Sequence, residues 1–304
     1  MTAILAFAGN AAVAQDTLSL GDLPAGRTLL VAQPHHDDHT TDYGMGGLIA
    51  RFMESGYKGY YVRGSNDEKD GPHGYGRNDI INLKETRDAI RILGMEKVVS
   101  LNWRNDFMNP IPLNELREQL IFLIRKYQPD VVLGHNAWEH YQKNPDHRNV
   151  ARALVEAYWL AGYETVHPEH FKLGLKPWAA SHYYGKARLD WGLGQVSNVA
   201  MEFNESQVRK KERAIAAHRN VYHSAGTSRA IRAQLAAQGK YIPEWENVND
   251  DNASDMILHW WMNWISRDIG KKAKVKYAED YYHMDELAHL PGLRAYVEKK
   301  AGKK

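Results

Sequence analysis

Five of the six residues in Pro34-His35-His36-Asp37-Asp38-His39 are histidine or aspartate. His35 and Asp38, three positions apart, can converge on one ion if the chain turns there. An imidazole nitrogen and a carboxylate oxygen are ligands that zinc accepts, given a third protein ligand and an open position for water. Asp37 is then left beside that water as a base. On these residues alone the alternative is a solvated polar turn with incidental histidines. The chain has no cysteine, which excludes disulfides and thiolate sites, so a metal must be held by His, Asp, Glu or carbonyl groups.

A second cluster follows a hundred residues later, in His135-Asn136-Ala137-Trp138-Glu139-His140-Tyr141-Gln142-Lys143-Asn144-Pro145-Asp146-His147-Arg148. Asn144 is a good helix N-cap and Pro145 a good first helical residue. Val150, Ala151, Leu154, Val155 and Tyr158 form the apolar stripe of the helix so started. His147 falls in the first turn, where the helix dipole disfavours the imidazolium. A neutral imidazole is what a metal needs. One histidine at a helix start is more often structural. Two clusters at strand ends of the same sheet turn the reading towards a metal.

Those clusters need elements to position them. The apolar run from Thr28 to Ala32 reads as a buried parallel strand that stops at Pro34, and in open α/β sheets chemistry gathers beyond the carboxyl ends of the strands. Gly44-Met45-Gly46-Gly47 then leads into a helix with Leu48, Ile49, Phe52 and Met53 on one face. It lacks the phosphate-loop ending, so its glycines read as close helix packing. Residues 57–62 form a second strand ending at Arg63, followed by a polar loop over 66–78. Residues 79–93 form a helix with Ile80, Leu83, Ala89, Ile90 and Leu93 inward and Gly94 as its C-cap. A third strand over 97–101, a helix over 113–127 and a fourth strand over 130–134 follow. Beyond residue 160, strands are expected over 180–184 and 197–203, and helices over 206–220, 225–239 and around Trp260 and Trp264. Those two tryptophans share a face at i, i+4. The stripe reads as core, with a sugar-stacking platform as the alternative.

Composition sets the outer bounds. Apolar and charged fractions of 43% and 25% over 304 residues are those of a globular protein. A net charge of +2 gives no electrostatic case for nucleic acid as a partner. No apolar run is long enough for a membrane span. Ala12-Val13-Ala14 before Gln15-Asp16 resembles a signal-peptidase site, although no Lys or Arg precedes Arg27. The expectation is export to the periplasm or medium, with residues 1–15 as a signal-peptide remnant and a cytosolic leader as the alternative.

Pro34-His35-His36-Asp37-Asp38-His39 resembles the A-H-P-D-D-E motif of the PIG-L (LmbE-like) zinc N-deacetylase family. Asn144-Pro145-Asp146-His147-Arg148 resembles its second motif, H-P-D-H-R. The likeness covers about residues 28–158 and extends more weakly over 210–220. It implies a Rossmann-like α/β fold, a mostly parallel sheet flanked by helices. The expected organisation is a deacetylase domain over 16–222 and a helical C-terminal extension over 223–304 packed on it.

The same resemblance implies His35, Asp38 and His147 as ligands of Zn2+ or another divalent metal, with Asp37 as general base. The activity it implies is hydrolysis of the acetyl group from an N-acetylated sugar or related amide by zinc-activated water. The departures bear on the rest. The motif's proline is His36 and its glutamate is His39. The first His of the second motif is Asn144, an amide that donates a hydrogen bond but carries no charge, and His140, Tyr141 or His218 could supply what it lacks. The family's Arg in R-x-x-E aligns with Asn82, with Glu85 kept. Its sugar-contacting Asp falls on Asn105, or on Asp106 with a one-residue shift. Asp37, His218 and Asn144 are therefore the catalytic candidates, and Arg63, Asn105, Asp106 and Tyr141 the substrate-binding ones. The partner expected is a small-molecule or glycan substrate. A non-catalytic glycan-binding protein on the same fold is the alternative, favoured by Asn144. A phosphoesterase would want more carboxylates at the strand ends than the sequence offers.

Overall fold

The computed structural model describes residues 18–39, 44–106, 108, 111–136, 143–186, 197–223, 227–285 and 293–302. Strands β1 (Ser19–Gly21), β2 (Thr28–Gln33), β3 (Lys58–Ser65), β4 (Lys97–Trp103), β5 (Val131–His135), β6 (His182–Lys186), β7 (Val199–Glu202) and β8 (Ala278–Asp285) form one open sheet. Their order is β1-β7-β8-β6-β5-β2-β3-β4. Every pairing is parallel except those of β8 with β6 and β7. This is the mostly parallel, helix-flanked α/β architecture that the sequence predicts.

The helices are α1 (Gly46–Glu54), α2 (Tyr75–Leu93), α3 (Leu113–Tyr127), α4 (Pro145–Leu160), α5 (Glu205–Ala216), α6 (Arg219–Tyr222), α7 (Thr227–Ala237), α8 (Asp250–Lys272) and α9 (Leu293–Lys300). Side chains alternate across a strand, and β2 supplies both layers. Leu29 and Val31 pack with Leu48, Ile49 and Phe52 of α1 and with Ala89, Ile90 and Leu93 of α2. Leu30 and Ala32 pack on the other face with Leu120 and Ile124 of α3 and Val150 and Leu154 of α4. The central strand is thus covered on both sides, and its carboxyl end opens into the first motif. A third cluster joins β7 and β8 to Leu258, Met262, Ile265 and Ile269 of α8.

The expectation of close packing at the glycines before α1 is met: a Cβ on Gly47 would come within 2.7 Å of the Phe203 ring. An anion does sit at this helix N-terminus, and it is the protein's own. Glu279 accepts hydrogen bonds from Gly47 N and Leu48 N, both at 2.9 Å.

Three expectations need correction. Residues 223–304 are not purely helical, because β8 lies within the sheet between β6 and β7. Its sequence hides it: Glu279 and Asp280 are buried and paired with Lys211 and Lys186 from distant elements. Second, α2 starts at Tyr75 and turns Asn78, Asn82 and Thr86 inward, leaving Ile80 72% exposed. Ala89, Ile90 and Leu93 do face inward as expected, while in the first turns of the helix the inward positions go to the amides. Asn82 Nδ2 donates to the carbonyls of Asp67 and Asp70, each at 2.8 Å. Third, the helix expected over 206–220 breaks at Ala217, and His218 caps the short α6.

Candidate active site

At the end of β2 the chain turns back on itself, and His35 N donates to Asp38 Oδ2 at 2.8 Å. That turn brings both side chains against His147 in the first turn of α4. His35 Nδ1 lies 2.9 Å from His147 Nε2 and 3.3 Å from Asp38 Oδ2, and His147 Nε2 lies 3.4 Å from Asp38 Oδ1. All three side chains are buried. A tetrahedral zinc ion with bonds near 2.1 Å spaces its ligand atoms about 3.4 Å apart. The two nitrogens and the Asp38 carboxylate, spaced 2.9–3.4 Å, lie close to that separation, and the residues brought together are those the sequence predicts.

Charge supports the same conclusion. Burial opposes ionisation of Asp38, but His147 and His35 outweigh it and hold its carboxyl well below the usual range. For His35, burial opposes the imidazolium, yet Asp38 and Asp146 raise its pKa well above the ordinary value. Two ring nitrogens 2.9 Å apart beside one carboxylate make a place for a single cation, either a proton or a metal.

Asp146, which the sequence reading left without a role, orients this set. Its Oδ2 lies 3.2 Å from His35 Nε2, and its carboxylate accepts from Asp106 N at 2.7 Å and Met108 N at 3.0 Å. A carboxylate on the far nitrogen fixes the tautomer and leaves Nδ1 free for an ion. The one available signal was its place beside His147 in the first turn of α4, where an acid also suits the helix dipole.

Asp37 stands outside the triangle. Its Oδ2 accepts a hydrogen bond from Tyr222 of α6 at 2.7 Å. Burial raises its pKa; His36 opposes the rise and Asp38 adds to it. A raised carboxyl beside the ligands suits proton transfer. Nothing in the sequence marked Tyr222.

The other candidates are placed as follows. Asn144 caps α4: its Oδ1 accepts from Asp146 N at 2.8 Å and its Nδ2 donates to Asp106 Oδ1 at 3.0 Å. Asp106 is exposed and close to the triangle. Asn105 is buried, and neither atom of its amide has a hydrogen-bond partner among the described residues. Arg63 departs from its expected substrate role. It is fully buried and donates to Ser100, Asn66, Asp67 and Asp79. His218 is also buried, with its Nε2 3.4 Å from His39 Nε2 and its ring against His36. Burial and the neighbouring histidines hold it neutral. Glu85 accepts from Asn220 N at 3.0 Å. Tyr141 and His140 lie outside the described residues.

The tryptophan stripe of α8 is not core, with Trp260 39% and Trp264 62% exposed. With Trp261, Ile257, Ile231 and Tyr222 these residues line a groove of about 520 Å³. Tyr222 is thus shared between the groove and Asp37.

Residues 30–158, which carry both motifs of this site, match the PIG-L family model, described as GlcNAc-PI de-N-acetylase. Over 155 residues, half of the chain, the sequence is 29% identical to the diacetylchitobiose deacetylase of Thermococcus kodakarensis. The match spans 56% of that protein, so this chain covers little more than half the length of the relative. Among solved structures it is similar to the N,N'-diacetylchitobiose deacetylase of Pyrococcus horikoshii, with a TM-score of 0.66, 22% identity and 89% of each chain covered. It is also similar to GalB, the 4-carboxy-2-hydroxymuconate hydratase of Pseudomonas putida KT2440. There the TM-score is 0.59, the identity 19% and the coverage 85% of this chain and 96% of that one. The fold hosts more than one chemistry, so the reaction has to be argued from the site.

Proposed function

We propose that this protein is a metal-dependent N-deacetylase acting on an N-acetylated sugar or a related amide. The observation that carries the reading is the separation of roles at the end of β2. His35, Asp38 and His147 form a ligand triangle, while Asp37, the residue next to a ligand, is held apart from it by Tyr222. The likeness to diacetylchitobiose deacetylases supports the sugar substrate.

His35, Asp38 and His147 would hold a divalent ion, and their nitrogen and carboxylate donors are ligands that zinc accepts. Such an ion supplies Lewis acidity, lowering the pKa of water towards neutrality and polarising an amide carbonyl. Asp37 takes the proton of the attacking water and hands it to the leaving amine. Tyr222 fixes the plane of that carboxylate, and Asp146 fixes the tautomer of His35. Asn105 and Asp106, at the end of β4, are the substrate contacts we favour. A buried amide without a partner costs about 1–3 kcal/mol, which a substrate hydroxyl at Asn105 would recover. Asn144, the residue that favoured a binding protein, caps α4, and no specific observation supports that alternative.

The test is a screen of metal-loaded protein against N-acetylated mono- and disaccharides, reading free amine. Release of amine that is lost on chelation and restored by Zn2+ is expected. Metal-replete protein that releases none from any N-acyl substrate would refute the reading.

A further inference from the structure

His36 stands where the family motif has proline, and its surroundings form a second set of metal donors. We propose that His36, Asp67 and Asp70 form a second divalent-cation site beside the first, suited to a transition-metal ion such as Zn2+. "Second" rests on the ligand triangle above; the three donors themselves do not. His36 Nδ1 lies 3.6 Å from Asp67 Oδ1 and 3.9 Å from Asp70 Oδ2, and the three donor atoms all lie within 4.8 Å of one another. Those spacings are those of ligands around one ion, and they are too long for hydrogen bonds. One nitrogen with carboxylate oxygens favours a first-row transition metal over calcium or magnesium.

The independent observation is His36 itself. It is fully buried, and neither ring nitrogen has a hydrogen-bond partner among the described residues. A buried imidazole without partners is costly, and an ion on Nδ1 would relieve that cost. The carboxylates are held for the purpose. Asp67 Oδ1 accepts from Ser65 Oγ at 2.6 Å and Oδ2 from Arg63 at 3.2 Å, which leaves Oδ1 a free lone pair. The backbone between them is clamped from α2 and α6: Asn82 Nδ2 bonds the carbonyls of Asp67 and Asp70, and Asn220 Nδ2 bonds that of Asp70 at 3.0 Å. The inward amides of α2 thus hold the loop that carries two of the three donors.

The charge around the cluster is unbalanced. Asp37 Oδ1 is also 3.9 Å from His36 Nδ1, so three carboxylates lie within 4 Å of this one ring, and of them Asp67 is also paired with Arg63. A metal ion on His36 Nδ1 would draw on Asp37 as well as on Asp67 and Asp70. Filling the site would then slow turnover.

The experiment is Zn2+ titration of the metal-free full-length protein, with bound metal counted after removal of free ion. The expected stoichiometry is about two per chain in wild type and about one in Asp70→Asn, His36→Asn and His147→Ala. Asp70→Asn with one ion should turn over like wild type and resist inhibition by excess Zn2+. Asp70 is partly exposed, so that variant is expected to fold, and circular dichroism checks it. One ion in wild type and none in His147→Ala would overturn this proposal and leave the deacetylase reading intact. One ion in wild type that is retained in His147→Ala and lost in Asp70→Asn would support this site and refute the first. Two ions in Asp70→Asn and in His36→Asn would refute the assignment of the donors.

Discussion

Asp146 shows how residue-scale chemistry can be invisible in sequence. That His35, Asp38 and His147 come together was legible because strand ends, a three-residue spacing and an Asn-Pro helix start limit where these side chains can sit, and the motif resemblance names the three. Asp146 carries no such mark, since the ring it orients is 111 residues away in the chain. Its importance is testable apart from ligation. Asp146→Asn keeps the shape and the bonds that a neutral oxygen can accept, but weakens the hold on His35 Nε2. Metal affinity at the triangle should fall about 10–100-fold, whereas His147→Ala should lose the ion that the triangle holds. Competition with a chelating dye measures both. Equal losses in the two variants would place Asp146 among the ligands.

Among elements, the apolar ones read well and the charged ones did not. The bounds of α3 and the left-handed Gly94 after α2 follow from periodicity and a glycine stop. By contrast β8 was missed because its buried residues include Glu279 and Asp280, whose partners come from α5 and β6. No local pattern encodes a carboxylate that is neutralised from elsewhere. Glu279→Leu should therefore cost about 3–5 kcal/mol, since it strands Lys211 and uncaps α1. Urea unfolding gives the number, and a loss under 1 kcal/mol would contradict the structural role. The histidines behind the site give a pH dependence. Burial lowers His39 from 6.5 to about 3 and holds His218 well below its usual value. Between pH 6.5 and about 3 the unfolded chain therefore binds protons at these positions that the folded chain does not. Stability must fall as pH falls through that window. The denaturation midpoint of metal-free protein should drop steadily below pH 6.5, and less steeply in His39→Asn.

At the scale of the fold, the eight strands and two helical layers of the described residues set the ligand triangle, Asp37 and the half-exposed groove of α8 around one end of the central strand. Among the described residues no helix is long and apolar enough to cross a membrane. Residues 1–17 lie outside the described part, and we propose on the Ala12-Val13-Ala14 signal alone that the protein is exported. N-terminal sequencing of the native protein should then find a start at or near Gln15, and an intact Met1 on cytosolic protein would refute it. The central claim is that one residue of the first motif moves a proton while its neighbours hold a metal. It is tested most directly by measuring metal content and deacetylase turnover on the same sample of Asp37→Asn. The variant is nearly isosteric and leaves His35, Asp38 and His147 in place. Full metal content with turnover reduced about 10²–10⁴-fold is the expected result. Unchanged turnover, or loss of the metal with the activity, would contradict it.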